Sequence, residues 1–340
     1  MQLSDFDYHL PEDRIAQQPL EDRAASRMLV LYSKEQRWED RAFRELPRFL
    51  QPGDCLVLND SRVFPSRLLG HRAGVGGGQV EVFLLNPVSG DRKTWQALVH
   101  PGRKMRTGER VRFGERLEAE VIARGAYGER TVRFQCEGDI HERLEEIGHV
   151  PLPPYIKRPD TPEDRWRYQT VFAKETGSVA APTAGLHFTP EILEECRAAG
   201  AEIARVTLHV GLGTFQPIHA DVFEGHRLHS ERFQIAEENA RKMRAAARLV
   251  AVGTTAIRTI ETAVRGEGLA ESHGETDLFI YPGFEFKAAG ALLTNFHLPR
   301  SSLLLLVCAF AGREFVLAAY RHAVEAGYRF YSYGDCMLIL

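Results

Sequence analysis

The sequence predicts a mixed α/β fold: a discontinuous, layered α/β domain with a small antiparallel β-barrel domain inserted into its N-terminal part. Strand-like and helix-like runs alternate near both ends of the chain, which is typical of a sheet with helices on its faces. Short strand-like runs separated by turn residues fill the segment between them. A connector with five prolines, residues 150–164, follows that segment and is too stiff for a helix. We therefore expect an α/β domain of residues 1–62 and 151–340, and a barrel domain of residues 63–150.

Each element of the α/β part follows from the spacing of its apolar residues. Continuous or alternating apolar positions predict strands, whereas apolar positions three and four residues apart predict helices. The predicted strands are "RMLVLY", "CLVLN", "AEIARVTLHV", "LVAVG", "DLFIY" and "ALLTNF". The predicted helices are "AFRELPRFL", "PEILEECRAAG", "AEENARKMRAAAR", "TAIRTIETAVR", "SLLLLVCAFAG" and "REFVLAAYRHAVEAG".

The inserted segment has the pattern of a small antiparallel barrel or sandwich. Turn signals such as "GVGGG" and "RGAYGE" separate its short alternating runs, and the helix "HERLEEIG" is expected to close it. The predicted strands are "QVEVFLL", "TWQALVH", "RVRF", "LEAEVIA" and "RTVRFQC".

Composition and cysteine placement limit the class of protein. The chain of 340 residues is 44% hydrophobic and 26% charged, which is ordinary for a globular protein. It opens "MQLSDFDYHLPEDR" without a signal segment, and its longest apolar run, "SSLLLLVCAFAG", is too short to span a bilayer. The five cysteines form no C-x-x-C pair, and the histidines lack the spacing of zinc ligands. We therefore expect a cytoplasmic protein with no metal and no membrane partner; a monomer is the expectation for its assembly, although nothing in the composition fixes it.

The charge is distributed unevenly along the chain. Residues 62–130 hold 13 Lys and Arg against 7 Asp and Glu, which is a charge of +6. Because the net charge of the chain is −3, the rest of the chain carries a charge of −9. Six basic residues lie in "HPGRKMRTGERVRFGER", residues 100–116. This asymmetry is consistent with a polyanionic partner such as RNA, although a solvated hairpin face would give the same pattern.

The stretch "VAAPTAGLHFTPEIL" places His187 and Phe188 on a stiff connector. Two prolines and a glycine restrict its backbone, and Thr189 followed by Pro190 predicts an N-cap and the first residue of a helix. His187 therefore lies just before a helix N-terminus, where free backbone N–H groups can bind a ligand. The alternative is a tight turn whose histidine only caps or packs.

Four other strand-end stretches carry residues suited to binding or proton transfer: "HVGLGTF", "VGTTAIRTIE", "LLTNFHLP" and "YSYGDCM". In addition, "HRLHSERF" would point His229 and Glu231 to the same side of an extended segment. Arg258, near the start of a predicted helix, is suited to clamp an anion or a carboxylate. Packing and capping can nevertheless explain each stretch alone; Arg258, for example, could pair with Glu261. Ligands of open α/β sheets bind beyond the carboxyl ends of the strands, so together these loops predict one shared small-molecule pocket.

The motifs together resemble the S-adenosylmethionine:tRNA ribosyltransferase-isomerase family of queuosine biosynthesis. The matching stretches run in order along the whole chain, and they include "DFDYHLPEDRIAQQP", "LVLNDSRVFPSRLLG", "DRWRYQTVFA", "GSVAAPTAGLHFT", "HVGLGTFQPI", "LFIYPGFEFK" and "LLTNFHLPRSSLLLLVCAFAG". The resemblance implies an enzyme that moves the ribosyl part of S-adenosylmethionine to 7-aminomethyl-7-deazaguanine at the tRNA wobble position. Isomerisation then gives epoxyqueuosine, with release of adenine and methionine. It implies no cofactor, because S-adenosylmethionine is consumed as a substrate.

That chemistry needs a base near the acidic ribose C–H, a donor for departing adenine, and groups that stabilise the sulfonium. Which group is acid and which is base stays open. The candidate catalytic residues are His187, His209, His229, Glu231, His297 and Asp335. The candidate residues for S-adenosylmethionine or the wobble base are Tyr168, Gln169, Thr183, Ala184, Gly185, Phe188, Gly211, Gly213, Thr254, Thr255, Arg258, Asn295 and Tyr331. The candidate tRNA-binding residues are Arg103, Lys104, Arg106, Lys157, Arg158 and Arg165.

Two alternatives from other classes stay open at this point. An S-adenosylmethionine-dependent RNA methyltransferase would carry a glycine-rich loop after its first strand and an acidic residue after its second, and neither is evident. A non-catalytic tRNA-binding module would not need acid and base side chains at the strand ends. Release of free adenine distinguishes the predicted enzyme from both.

Overall fold

The computed structural model of the chain describes residues 1–74, 77–88, 90, 93–125, 128–136, 138–211, 228–266 and 268–340. The strands are β1 Arg27–Tyr32, β2 Arg37–Ala42, β3 Asp54–Asn59, β4 Ser61–Val63, β5 Arg67–Arg72, β6 Gln79–Pro87, β7 Thr94–His100, β8 Arg110–Phe113, β9 Leu117–Arg124, β10 Glu129–Gln135, β11 Glu175–Ser178, β12 Glu202–Leu208, β13 Glu231–Ile235, β14 Arg248–Val252, β15 Ser272–Thr276, β16 Ala289–Asn295 and β17 Cys336–Ile339. The α-helices are α1 Ile140–Ile147, α2 Asp164–Arg167, α3 Pro190–Ala198, α4 Glu237–Ala245, α5 Thr254–Arg265, α6 Ser302–Ala311 and α7 Arg313–Glu325.

A mixed sheet forms the centre of the α/β part. Within the described residues it has nine strands in the order β15-β13-β12-β3-β14-β16-β17-β1-β2. Strands β12, β3, β14 and β16 are parallel neighbours, and β17 runs antiparallel to β16. The carboxyl ends of four strands and the start of β17 therefore meet at one edge of the sheet.

Helices cover both faces of this sheet, and strand β3 shows the pattern most clearly. All six of its residues are buried, as expected for a central parallel strand. Cys55 and Val57 face the core beneath α4, α5 and α6, whereas Leu56 and Leu58 face the core beneath α3. Full burial of a large apolar side chain contributes about 1.5–3 kcal/mol, so this double-sided core holds the strand ends in place.

Strands β5 to β10 form a closed antiparallel barrel in the order β10-β7-β6-β5-β8-β9. Helix α1 closes it by burying Ile140 and Leu144 in the barrel core. Val179, just after β11, also packs in that core, although its chain neighbours belong to the α/β part. The predicted mixed α/β fold with an inserted barrel is confirmed, and the domain boundaries at 62/63 and 150/151 stay a prediction.

Two predicted elements are wrong. "AFRELPRFL" is a 3₁₀-helix, Phe43–Phe49, because Pro47 within it has no N–H and disfavours an α-helix. "DLFIY" is not a strand: the strand β15 ends at Thr276, and Ile280 is buried in the core from an irregular segment. An apolar run packed on a core looks like a strand in sequence, but it needs a neighbouring strand to become one.

Candidate active site

A cavity of about 400 Å³ lies at the edge where the parallel strands end. Its walls come from the proline connector, the "PTAG" turn, the N-terminus of α5, the loop after β16 and the turn before β17. The lining residues are Pro154, Tyr155, Ala181, Pro182, Thr183, Ala184, Val210, Gly253, Thr254, Thr255, Thr294, Asn295, His297, Leu298, Pro299, Arg300, Ser301, Leu303, Tyr331 and Ser332. The predicted shared pocket at the strand ends therefore has a physical counterpart of a size suited to a small molecule.

The "PTAGLHF" loop forms one wall of this cavity and is held rigidly. Residues Thr183–His187 form a 3₁₀-helix, and Phe188 is fully buried with its ring edge-on to Phe43 and Phe172. Thr189 caps α3 through its hydroxyl, with Pro190 at the first helical position, as predicted. The loop is stiff, but Phe188 provides packing and does not line the cavity.

His187 lies behind the cavity wall rather than in the cavity. Its Nδ1 lies 2.8 Å from the Ser26 hydroxyl oxygen, and its Nε2 lies 3.3 Å from Asn295 Nδ2. The Ser26 hydroxyl donates to the Arg23 carbonyl, so it accepts from Nδ1–H, which leaves Nε2 to accept from Asn295. Burial lowers the pKa of His187 to about 4, so the ring is neutral at pH 7.

Replacing His187 by glutamine is expected to change how stability depends on pH. The unfolded chain binds a proton near pH 6.5 that the folded chain excludes until about pH 4, so wild-type stability falls as the pH drops through this window. For this one group the loss is about 1.4 kcal/mol per pH unit. Urea unfolding at pH 7 and pH 5 should therefore show the stability gap between wild type and variant narrowing at pH 5; an unchanged gap would contradict the neutral state assigned to this ring.

Asn295 links His187 to the cavity. Its Nδ2 donates to the Tyr331 carbonyl at 2.9 Å as well as to His187, and only 2% of the residue is exposed. Its Oδ1 is buried and has no hydrogen-bond partner among the described residues. Tyr331 itself has a left-handed backbone, φ +73°, and its ring lies 4.1 Å from that of Tyr155, centroid to centroid. An amide oxygen and two rings in contact, tilted by 40° to each other, thus form one corner of the cavity.

Of the six candidate acid and base residues, His297 is the one that lines this cavity. Its Nε2 lies 2.9 Å from the Thr294 hydroxyl, and burial lowers its pKa to about 3. The His297 carbonyl accepts from the Tyr8 hydroxyl, and its N–H donates to the Tyr320 hydroxyl at 3.2 Å. A neutral imidazole is therefore held at a fixed position in the cavity wall.

His209, His229 and Glu231 line a second cavity of about 460 Å³, between the barrel strands β6, β7 and β10 and the end of β12. His209 Nδ1 lies 3.0 Å from the Ser61 hydroxyl, and burial lowers its pKa. A Cβ on Gly177 would lie 2.8 Å from the His209 ring, so only glycine fits there. Val210 lines both cavities.

Val210 is also tied to the barrel through a short backbone connection. Its N–H donates to the Ser178 hydroxyl at 2.7 Å, and its carbonyl accepts from the Val179 N–H at 3.0 Å. Because the Val179 side chain packs in the barrel core, the wall between the cavities is fastened to the barrel.

Arg258 is engaged by a buried carboxylate. Its guanidinium pairs with Glu231, both side chains being 4% exposed, and also donates to the Leu278 carbonyl at 3.0 Å. Glu231 in turn accepts from the Gly211 N–H at 2.8 Å. The alternative pairing of Arg258 with Glu261 is wrong, because Glu261 pairs with Arg265. The predicted carboxylate clamp is thus already occupied from within the protein.

Several other candidates lie outside the two cavities. Asp335 accepts from the Arg27 and Arg329 N–H groups, both at 2.8 Å, and burial raises the pKa of its carboxyl. The Gln169 amide holds the backbone of Val63 through two hydrogen bonds. Tyr168 and Gly185 lie in packed regions near Tyr333 and Phe172. Gly213 lies outside the described residues.

Three of the candidate tRNA-binding residues present free cations. Arg103 and Lys104 lie on a 3₁₀-helix at one end of the barrel and are exposed, as is Arg106. None of the three is within ion-pair distance of an acidic side chain in the part of the chain that the structure describes. On the barrel strands, Arg67, Arg72, Arg110 and Arg112 do pair with a glutamate, for example Arg72 with Glu109.

The other three are engaged within the protein. Arg158 pairs with the buried Asp164 at 2.7 Å. Arg165 donates to backbone carbonyls, and Lys157 pairs with Glu12 at 2.9 Å on the surface. Arg158 and Arg165 therefore fix the connector to its neighbours.

Several residues that line the cavity or support its wall did not emerge from the sequence. Tyr155 lies in the proline connector, and an aromatic residue so close to "KR" could have indicated a binding residue. Thr294 could have been found because it directly precedes the candidate Asn295. Ser26 and Val210 carry no local signal, because their roles depend on contacts with residues more than thirty positions away.

Among the described residues, no three His, Cys, Asp or Glu side chains come together as a metal site. No single helix in the described ranges is long and apolar enough to cross a membrane; α6 and α7 reach that length only together, and they meet at 115°.

Comparison with known proteins gives a consistent result over the whole chain. It matches the family described as Queuosine biosynthesis protein over residues 3–339. It is 66% identical to the S-adenosylmethionine:tRNA ribosyltransferase-isomerase of Solibacter usitatus and 51% identical to that of Symbiobacterium thermophilum, in each case over 100% of both chains. The crystal structure of S-adenosylmethionine tRNA ribosyltransferase from Thermotoga maritima is similar with a TM-score of 0.57 and 42% identity, covering 99% of this chain and 100% of that one. The protein described above therefore belongs to the queuosine biosynthesis protein family, as its motifs predicted.

Proposed function

We propose that this protein transfers the ribosyl part of S-adenosylmethionine to 7-aminomethyl-7-deazaguanine at the tRNA wobble position and isomerises it to epoxyqueuosine. Adenine and methionine are released. The observation that carries this proposal is the cavity at the strand ends, which brings Asn295, His297 and the Tyr155–Tyr331 ring pair together. The names of the full-length relatives support the same activity.

The cavity has the features that a sulfonium substrate requires. Aromatic faces attract cations, and the neighbouring rings of Tyr155 and Tyr331 form part of its wall. Its size of about 400 Å³ suits a nucleoside-sized ligand. S-adenosylmethionine binds here, with its ribose next to His297.

His297 supplies the proton acceptor in this proposal. The positive sulfur makes the C–H of the neighbouring ribose carbon acidic, and a neutral imidazole ring nitrogen can take that proton. Burial lowers the pKa of His297 to about 3, so the ring carries no proton to lose at its acceptor nitrogen and is neutral at pH 7. The main-chain hydrogen bonds from Tyr8 and to Tyr320 keep the imidazole in position while the substrate reacts.

The wobble base enters through the second cavity. An enzyme that modifies a base must take it out of the stack, and a space of about 460 Å³ accommodates one purine-like ring system. Because Val210 lines both cavities, the aminomethyl group approaches the ribose across this residue. His209 and His229 are placed to accept the proton that the amine must lose.

Replacing Arg103, Lys104 and Arg106 together by alanine is expected to weaken tRNA binding and flatten its salt dependence. Each lost phosphate contact lowers the slope of log K against log salt by about 0.7–0.9. Filter binding of tRNA between 50 and 300 mM salt measures this slope. The matched control replaces Arg72, Arg110 and Arg112, which are paired within the protein. If wild type and the Arg103, Lys104 and Arg106 variant give the same slope, this end of the barrel does not bind tRNA.

The activity itself is tested by incubating the protein with S-adenosylmethionine and precursor-bearing tRNA. We expect adenine and methionine in equal amounts and a nucleoside with the mass of epoxyqueuosine. S-adenosylhomocysteine without adenine would indicate the methyltransferase alternative. tRNA binding with no product at all would indicate the non-catalytic alternative.

A further inference from the structure

The N-terminus of α5 opens on the strand-end cavity. Helix α5 has twelve residues, begins at Thr254, and has no side-chain cap among the described residues. Gly253, Thr254 and Thr255 all line the cavity. The first N–H groups of a helix have no partner within it and carry partial positive charge, so they favour an anion.

A second feature, the Asn295 amide, points to a ligand at the same place. Both hydrogens of its Nδ2 are used, one by the Tyr331 carbonyl and one by the His187 ring. The remaining atom, Oδ1, is buried without a partner among the described residues, in a residue that lines the cavity. A buried acceptor left unpaired is costly, so this atom is placed to receive a hydrogen-bond donor.

The anion-binding and donor-binding groups lie on neighbouring strand ends. Strands β14 and β16 are paired in parallel, and the Gly253 N–H donates to the Leu293 carbonyl at 2.7 Å. Paired strands lie about 4.8 Å apart. An α-amino acid whose carboxylate and ammonium each make a hydrogen bond can bridge two protein groups at about this separation.

We propose that this corner binds the α-amino acid end of S-adenosylmethionine: the carboxylate at the α5 N-terminus and the ammonium on Asn295 Oδ1. The inference rests on the proposed function, because it assigns one end of that substrate. His187 and Ser26 then act as positioning residues that hold the Asn295 amide with its oxygen towards the cavity. Asn295 cannot make a two-point contact with adenine, since it has no free hydrogen.

The proposal is tested first on the unaltered protein with small probes and no tRNA. Calorimetry compares L-methionine with 3-(methylthio)propylamine, which lacks the carboxylate, and 4-(methylthio)butanoate, which lacks the ammonium. We expect each single-group probe to bind about 10- to 100-fold more weakly than L-methionine, because each loses a charge-assisted contact. Equal binding of L-methionine and either probe would overturn the proposal.

Two variants assign the two contacts. Thr254→Pro removes one N–H that the helix does not use, and Pro190 shows at the start of α3 that proline fits such a position. This variant should bind L-methionine and the butanoate more weakly, but the propylamine equally well. Asn295→Leu should weaken the binding of L-methionine and of the propylamine, but not the binding of the butanoate. Glu237→Pro, at the start of the remote helix α4, is the matched control and should change nothing. Uniform weakening of all three probes by either variant would contradict the assignment.

The same assays separate this inference from the proposed activity. Methionine binding with the expected probe ranking, but no adenine release with S-adenosylmethionine and tRNA, would overturn the activity and leave an amino acid site. Adenine release without any preference for methionine over the single-group probes would overturn the subsite alone. A final outcome concerns adenine. If adenine, but not L-methionine, displaces a probe whose binding depends on Asn295, the nucleobase occupies this corner and the proposal is refuted.

Discussion

Replacing His297 by glutamine is expected to lower kcat about 10²- to 10⁴-fold, the usual effect of removing a general base. The reason is its position: it is the candidate acid or base that lines the cavity proposed for S-adenosylmethionine. Glutamine can keep the hydrogen bond to Thr294 but cannot accept a proton at neutral pH. Adenine release under single-turnover conditions measures the chemical step directly.

The control for this variant is His273→Gln, which changes an exposed histidine on β15 and should leave the rate unchanged. Binding of S-adenosylmethionine to the His297 variant should stay within a few-fold of wild type, because the ring is assigned to the reaction rather than to affinity. A wild-type rate in this variant would refute the assignment. The base would then be sought in the second cavity, where His209 and His229 lie.

Replacing Arg258 by methionine is expected to cost about 3–5 kcal/mol in the free energy of unfolding, as is typical when one partner of a buried ion pair is removed. The Glu231 carboxylate, 4% exposed, would be left in the protein interior without its cation. The same change removes the donor to the Leu278 carbonyl, which holds the irregular segment after β15. Urea unfolding followed by circular dichroism measures the loss.

The double variant Arg258→Met with Glu231→Gln distinguishes the loss of the pair from the loss of packing. We expect it to recover most of the stability, because no buried charge remains uncompensated. If the single Arg258 variant is as stable as wild type, the pair is not the buried structural element described here. Weaker binding of the carboxylate probes at unchanged stability would restore the carboxylate-clamp role that the sequence suggested for Arg258.

The fold could be predicted from the sequence because its signals are local. Alternating runs and turn residues predicted the barrel, and capping residues such as Thr189 and Pro190 predicted the start of α3. Of the two errors, one has a local cause, Pro47 within "AFRELPRFL", and the other depends on a distant partner. "DLFIY" is apolar enough for a strand, but β15 takes the pairing position beside β13.

The candidate site could be predicted only in part for the same reason. Strand-end loops predicted where a ligand binds, since the carboxyl ends of parallel strands meet at one edge. The depth of each side chain could not be predicted: His187 and Asp335 looked like His297 in sequence, yet one lies behind the wall and the other holds a turn. The partner of Arg258 is 27 residues away, beyond the reach of helical spacing rules.

The connection from Val179 to Val210 has a mechanical consequence. One residue of this link is embedded in the barrel, and its hydrogen-bonded partner forms the partition between the two cavities. Any tilt of the barrel against the sheet must therefore shift that partition, which widens one compartment at the expense of the other. If the proposed function holds, a tRNA bound to the barrel would therefore change the width of the gap at Val210 between the wobble base and the ribose.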